Sequence, residues 1–515
     1  MSSDINIGDF LTTRAHLNPH KEALFDVVAD KRYTYEEINR RANRMCNAVL
    51  SLGLEKGDRI ALLAYNGHEF LESFFGPAKA GLVIMPLNWR LTAEELSFIL
   101  KDGGAKAIIY DADFSAVVEQ IHSRGEDGST LQHWIEIGEQ PADFALSYEK
   151  TLADQSDEEP ADKAEKDDNL FIMYTSGTTG LPKGVVHTHE TVFWGVLTGA
   201  NTSDGRFTDK YLLILPLFHV GALQPLMTCL YGGNTLVVLR SFDPQQTWAL
   251  IEQEKITTCL AVPAMLNFML AVPDFEKYDW STLRWIMSGA APLPVSTILA
   301  YKELGIEIHQ VYGLTETGGP ACLIGPDDAA RKIGSTGKAF FHTKVRIVGE
   351  DGKDLPAGEA GEILVKGGHI MKEYWNRPEA TAETINDGWL STGDIAIQDD
   401  EGFITIQDRI KDMIISGGEN VYPAEVESVL LQHPGVADAA VIGQESKKWG
   451  ECPFAIVVKK HDDLTAEELL AHCNEMLARF KLPKGVAFID AIPRNPSGKI
   501  LKRVLREQFP GSADQ

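Results

Sequence analysis

The sequence predicts an α/β protein. A large N-terminal domain of layered α/β subdomains ends in a small β-rich subdomain, and a small C-terminal α/β domain follows. Length is the first reason: 515 residues exceed what one hydrophobic core organises, so several domains are expected. Alternation is the second. Apolar runs of strand length, such as Arg59-Ile-Ala-Leu-Leu-Ala-Tyr, Ala80-Gly-Leu-Val-Ile-Met-Pro-Leu, Ala107-Ile-Ile-Tyr, Tyr211-Leu-Leu-Ile-Leu-Pro and Thr235-Leu-Val-Val-Leu, alternate with helical patterns. Repeating βα units imply layers with mainly parallel strands. A change of texture is the third, because from Lys344 short β runs are separated by turn signals.

Taken in order, a helix over 34–52 opens with Thr34 as N-cap and Glu36 and Glu37 in its first turn, and a second begins after Thr92. Asp154 to Asp168 holds eight acidic residues and two lysines without an aromatic, which reads as a solvated loop. The runs Lys344-Val-Arg-Ile-Val, Gly361-Glu-Ile-Leu-Val-Lys, Ile395-Ala-Ile-Gln and Phe403-Ile-Thr-Ile-Gln are divided by Glu350-Asp-Gly and Asp400-Glu-Gly, giving an antiparallel subdomain over about 340–409. The expected domains are therefore 1–409 and 410–515, the second being about 100 residues of α/β pattern.

Charge and composition exclude several classes. A net charge of −26 argues against general nucleic-acid binding and against docking by charge on an anionic membrane. No run is long enough to span a bilayer. The N-terminus lacks a basic and apolar leader, and six scattered cysteines suit reduced thiols in a cytoplasm. A homodimer and a transient membrane contact both stay compatible with the sequence. One stretch departs from the average: Arg479 to Arg506 holds eight basic residues and one acid, a net +7 that leaves −33 for the remainder.

The strongest local signal is Leu170-Phe-Ile-Met-Tyr-Thr-Ser-Gly-Thr-Thr-Gly-Leu-Pro-Lys-Gly184. A strand enters a loop of hydroxyls and glycines closed by a lysine. Backbone N–H groups can approach a polyphosphate there, hydroxyls can donate, and Lys183 can neutralise charge. It is not a Walker A loop, since Pro182, Lys183 and Gly184 stand where that pattern needs Gly and Lys-Ser/Thr.

With Tyr312-Gly-Leu-Thr-Glu316, Ser391-Thr-Gly-Asp394, Asp408-Arg-Ile-Lys-Asp412, Ser416-Gly-Gly-Glu-Asn and Pro493-Arg-Asn-Pro-Ser-Gly-Lys499 in order behind that loop, the chain resembles the adenylate-forming superfamily nearly end to end. That superfamily comprises acyl-CoA ligases, luciferases and peptide-synthetase adenylation domains. The resemblance implies two half-reactions: a carboxylic acid and ATP give acyl-adenylate and pyrophosphate, then a thiol displaces AMP. Bringing one anion against another makes charge neutralisation and alignment the catalytic need, so Mg2+ is expected on hard oxygen ligands. The resemblance assigns Glu316 and Thr175 to the metal, and Thr175, Ser176, Gly177, Thr178, Thr179, Gly180 and Lys183 to the phosphates. It assigns Gly289, Ala290, Ala291 and Tyr312 to adenine, with Gly313, Thr315 and Gln310 beside the nucleotide. Asp394, as a carboxylate fixed in a turn, and Arg409 would hold the ribose. Lys499 is the expected catalytic lysine of adenylation, and Lys411 the hinge of a mobile small domain.

The same resemblance points to CoA as acceptor, since no carrier-domain motif follows. Gly417 and Gly418 would let a pantetheine arm pass, while Trp449, Phe480 and Lys484 match positions that hold the CoA nucleotide in relatives. His219, in Pro216-Leu-Phe-His-Val-Gly-Ala-Leu, would stand at the carboxylate pocket, with satisfied core histidine as the other reading. The surroundings (Phe218, Val220, Leu223, Ala261, Val262, Met265) are apolar, and the chain as a whole most resembles bacterial fatty-acyl-CoA ligases, which implies a medium- or long-chain fatty acid, with an aryl acid second. A luciferase-like oxygenase and a catalytically silent nucleotide-binding relative are more distant alternatives.

Overall fold

The computed structural model describes residues 5–161, 163–175, 182–291, 293–329, 331–416, 419–446, 449–494 and 500–511. Two large mixed sheets carry the N-terminal part: a nine-stranded sheet and an eight-stranded one. In the first, Lys210–Leu213, Thr235–Val238, Thr258–Leu260, Trp285–Ser288 and Glu307–Tyr312 run parallel. In the second, Arg59–Leu63, Val83–Pro86, Ala105–Asp111 and Asn169–Thr175 are parallel, and Lys183–Thr188 pairs antiparallel with the last.

Strand pleating explains the layering, because alternate side chains face opposite sides. Ile60 and Leu62 enter a core shared by both sheets and by the helices Tyr35–Ser51, His68–Lys79 and Val220–Gly232. Ala61 and Leu63 point outward beneath Ala93–Gly103 and Ser115–Ser123. The other sheet is covered outside by Pro244–Glu254, Pro263–Leu270 and Val295–Glu303. The stack is therefore helix, sheet, helix, sheet, helix. Thr34 and Thr92 close their helices with reciprocal capping boxes to Glu37 and Glu95.

The β-rich part is an antiparallel sheet of Thr343–Val348, Ala360–Gly367, Trp389–Gln398, Ile385–Asn386 and Ile404–Arg409. Its turns use Gly352 at φ 73° and Gly402 at φ 85°, where L side chains are disfavoured. Past Arg409 a short 3₁₀ turn, Ile410–Asp412, leads to a separate five-stranded sheet with its own core around Ile414, Val426, Val441 and Val457.

Two expectations need correction. The acidic 154–168 stretch is not only a solvated loop: Glu159 accepts from the fully buried Lys79 Nζ at 2.9 Å and from Asn39 at 2.9 Å, pinning the loop to two helices. Asp394 lies inside the strand Trp389–Gln398, not in a turn; Gly393 at φ 70° beside it redirects the backbone locally.

Candidate functional site

The parallel strands of the nine-stranded sheet end at a common edge, where open α/β sheets bind ligands. Gly289 and Ala290 follow one strand and Gly313 follows the next, and all three line a cavity of about 1210 Å³. Both glycines are obligatory. A Cβ on Gly313 would sit 1.4 Å from the Gly319 carbonyl oxygen, and one on Gly289 would sit 2.4 Å from that of Val311. Ala290 holds φ 70°, a strained value for a residue with a side chain, which often marks a functional turn.

The loop after Tyr312 is shaped by two buried histidines. His187 Nε2 donates to the Thr315 carbonyl at 2.8 Å, while its Nδ1 meets the Thr191 hydroxyl at 3.1 Å. His369 Nδ1 donates to the Thr317 carbonyl at 2.8 Å, and its Nε2 meets Thr343 Oγ1 at 2.8 Å. Burial lowers both imidazoles to about 4, so each is neutral at pH 7 and serves as a fixed donor. Thr315 and Glu316 thereby face the cavity. Glu316 Oε1 accepts from the Tyr374 hydroxyl at 2.8 Å, and Lys183 Nζ lies 4.9 Å from the Tyr374 ring centre. Thr175, paired in register with Lys183, also lines the cavity. Glu316 and Thr175 at the cavity supply hard oxygen donors, and Lys183 beside Tyr374 supplies a cation nearby, a set that fits Mg2+ with phosphates.

Asp394 is 3% exposed; it accepts from the Tyr312 hydroxyl on Oδ2 at 2.6 Å, and Arg409 Nε lies 2.5 Å from Oδ1. Arg409 also lines the cavity. Gln310, expected beside the nucleotide, is engaged within the protein. Its Nε2 donates to the buried Ser335 carbonyl at 2.9 Å, and Gln310 is not among the cavity-lining residues. Tyr312 and Ala291 are not among the cavity-lining residues, and the Tyr312 hydroxyl is bonded to Asp394.

His219 directly precedes the helix Val220–Gly232, without a side-chain capping bond, and lines the cavity. Burial, then the nearby Arg90 guanidinium, lowers it to about 4. Arg90 itself lies 4.0 Å over the Trp89 ring at the cavity mouth, and among the described residues no carboxylate pairs with it. From this end the cavity follows the sheet. It passes Leu215, Leu260 and Met287 and reaches Tyr211, Thr258 and Trp285 near the strands' other end, a run of about 13 Å at ~3.3 Å per residue. The opposite wall is helical, with Gly199, Gly221, Gln224 and Thr228.

The small domain meets the same cavity through Arg494, Leu501 and Arg503. Arg494 and Ile500 form an antiparallel bridge, and Leu501 N donates to Pro493 O at 2.8 Å. Lys499 lies between these residues, outside the described set, as do Ser176, Gly177, Thr178, Thr179, Gly180, Gly417 and Gly418. Trp449 and Phe480 are exposed by 43% and 36% and, with Lys484, stand away from the cavity. Trp449 directly precedes Gly450, which pairs with Ser416. Lys411 is exposed overall in the turn Ile410–Asp412, and partial desolvation of its ammonium is the largest cause of its lowered pKa.

Sequence reasoning missed Tyr374, His187, His369 and Arg90. His187 had a weak signal, its place in the strand that follows the glycine- and hydroxyl-rich loop; Tyr374 and His369 had none, since their partners are remote in sequence, and Arg90 had none because its neighbour Trp89 belongs to no motif.

Comparison with known proteins agrees with this geometry. The chain is 47% identical over 504 residues to a long-chain-fatty-acid–CoA ligase, FadD13, of Mycobacterium tuberculosis, covering 98% of each. It is similar to a solved Mycobacterium tuberculosis fatty acyl CoA synthetase at 46% identity and TM-score 0.80, covering 99% of both chains. It also superposes on an anthranilate CoA ligase in complex with anthranoyl-AMP at TM-score 0.92 and 30% identity, covering 98% of this chain and 97% of that one. The AMP-binding enzyme pattern matches residues 11–375 and the AMP-binding enzyme C-terminal domain pattern residues 425–499. With the cavity edge, the Glu316 cluster and the Asp394–Arg409 pair falling inside or between those two stretches, the chain belongs to the AMP-binding enzyme family.

Proposed function

We propose that this protein is an AMP-forming acyl-CoA ligase for medium- or long-chain fatty acids. A carboxylate oxygen attacks the α-phosphorus of ATP and pyrophosphate leaves; the CoA sulfur then attacks the acyl carbon and AMP leaves. The observation that carries the choice of acid is the cavity's course. It begins at Gly289, Gly313 and Glu316 and continues between sheet and helices along an apolar wall. Its volume of about 1210 Å³ exceeds the ~300–1,000 Å³ of ordinary ligand pockets, which leaves room for an acyl tail as well as a nucleotide. An aryl acid would fill only the first part of this space.

In this reading Asp394 accepts from the ribose hydroxyls and Arg409 supports it. Glu316 and Thr175 hold Mg2+, which when bound neutralises phosphate charge, and Lys183 with residues 176–180 receives the phosphates. Lys499 reaches the attacking carboxylate when Arg494 and Arg503 face the cavity. Trp449, Phe480 and Lys484 receive CoA after the small domain swings about Lys411, because they stand off the cavity in the present pose. The domains then divide at 409/410.

The test is pyrophosphate release with a panel of acids. Release should rise with fatty acids of increasing length and stay low with aryl acids of benzoate size. A preference for the aryl acids would replace the fatty-acid reading by the aryl-acid one.

A further inference from the structure

Asp408 is the residue before Arg409, and its backbone belongs to the large domain: it pairs in register with Ile395 in the β-rich sheet. Its side chain serves the other body. Asp408 Oδ2 accepts from the backbone N of Ala424 at 2.9 Å, in the first turn of the helix Pro423–Leu430. A carboxylate there meets an otherwise unpaired N–H and the positive end of the helix dipole. That helix packs in the small-domain core with the strand Val436–Ser446, so it moves with the small domain. Oδ1 of the same carboxylate accepts from Arg409 N at 2.7 Å, next to the guanidinium that holds Asp394.

The neighbouring charges behave differently. Arg506 reaches Asp412 at 2.9 Å, Lys502 reaches Glu427 at 3.0 Å and Arg494 reaches Asp438 at 2.8 Å. All six residues lie in the small domain, beyond Lys411. Rotation about Lys411 therefore carries these pairs along intact and must break the bond from Asp408 to Ala424. Lys502 also feels Asp408: burial disfavours its ammonium, but Glu427, Asp408 and Asp412 together raise its pKa.

We infer that Asp408 is a latch: a positioning residue whose carboxylate, bridging Arg409 N and Ala424 N, holds the small domain in the pose that presents Arg494 and Arg503 to the cavity. The inference rests on the proposed swing about Lys411. It goes further in naming the contact that must be released between the two half-reactions.

The test measures each half-reaction separately: acid-dependent exchange of pyrophosphate with ATP, and CoA thioester formation from supplied acyl-adenylate. Asp408→Ala should slow exchange about tenfold, the size of one charge-assisted hydrogen bond, and leave thioester formation unchanged or faster. Asp408→Asn keeps an acceptor oxygen and guards against a folding defect; it should slow exchange by only about threefold. Arg506→Met breaks a pair internal to the small domain and should leave the ratio of the two rates unchanged. Equal slowing of both half-reactions by Asp408→Ala and Asp408→Asn, or no slowing by either, would overturn the latch. Lys411→Pro separates this failure from that of the hinge, since it should slow thioester formation more than exchange. If it does and the Asp408 variants do not split the rates, only the latch is wrong. If Lys411→Pro slows both alike, the hinge reading falls and the latch with it.

Discussion

Tyr374 donates its hydroxyl to Glu316 and stands beside Lys183, so it fixes a carboxylate proposed to hold the metal. Removing that oxygen by Tyr374→Phe should reduce kcat of adenylation by about tenfold and raise the Mg2+ concentration needed, measured by pyrophosphate release against a magnesium titration. Lys499→Ala should abolish acyl-adenylate formation and spare thioester formation from supplied acyl-adenylate; equal loss of both would remove Lys499 from its role. Glu316, Thr315 and Thr175, which line the cavity, could be singled out in the sequence because each stands in a contiguous motif. Tyr374 was not, because its partner is 58 residues away, and the bond from His187 to Thr315 spans 128. A lone histidine in a strand carries no mark of the carbonyl it will meet.

The helix Val220–Gly232 and its neighbour His189–Thr202 form the cavity wall opposite the sheet, and small residues open it: a Cβ on Gly221 would meet nothing within 4 Å. Gly199 faces Thr228 across the far part of this wall, with room for a Cβ at 3.4 Å from the Thr228 hydroxyl. Gly199→Phe should therefore cut kcat/KM for hexadecanoate at least about tenfold while sparing octanoate, read as the ratio of the two specificity constants. Element types and caps were readable in advance from periodicity and from Thr34 and Thr92. The order of strands was not, since Thr258–Leu260 pairs with Lys210–Leu213 across an intervening strand and two helices. For the same reason Asp394 was expected in a turn. Its motif reads as turn residues, and only pairing with Arg409 across the sheet draws it into a strand.

Over the whole molecule, charge is more finely arranged than its sum. Of the cationic stretch 479–506, Lys481, Arg494, Lys502, Arg503 and Arg506 are paired with Glu425, Asp438, Glu427, Glu507 and Asp412. Among the described residues of that stretch, Arg479 and Lys484 make no ion pair. The acidic surplus also has structural duty. Burial opposes ionisation of Glu159, but the Lys79 ammonium with Asn39 and Asn43 holds it down to about 2. A depressed carboxylate contributes stability that is complete above its unfolded value of 4.5 and is lost as pH falls towards 2. Glu159→Ala strands the buried Lys79 and should cost about 3 kcal/mol at pH 7, with the gap to wild type narrowing below pH 4 in urea titrations. No helix among the described residues is long and apolar enough to cross a membrane. The central claim is that one site couples ATP to an aliphatic acid and then to CoA. Pyrophosphate release from ATP with hexadecanoate, with and without CoA, tests it most directly. The account predicts acid-dependent release that stalls near one equivalent without CoA and turns over with it. ATP turnover indifferent to every acid would contradict it.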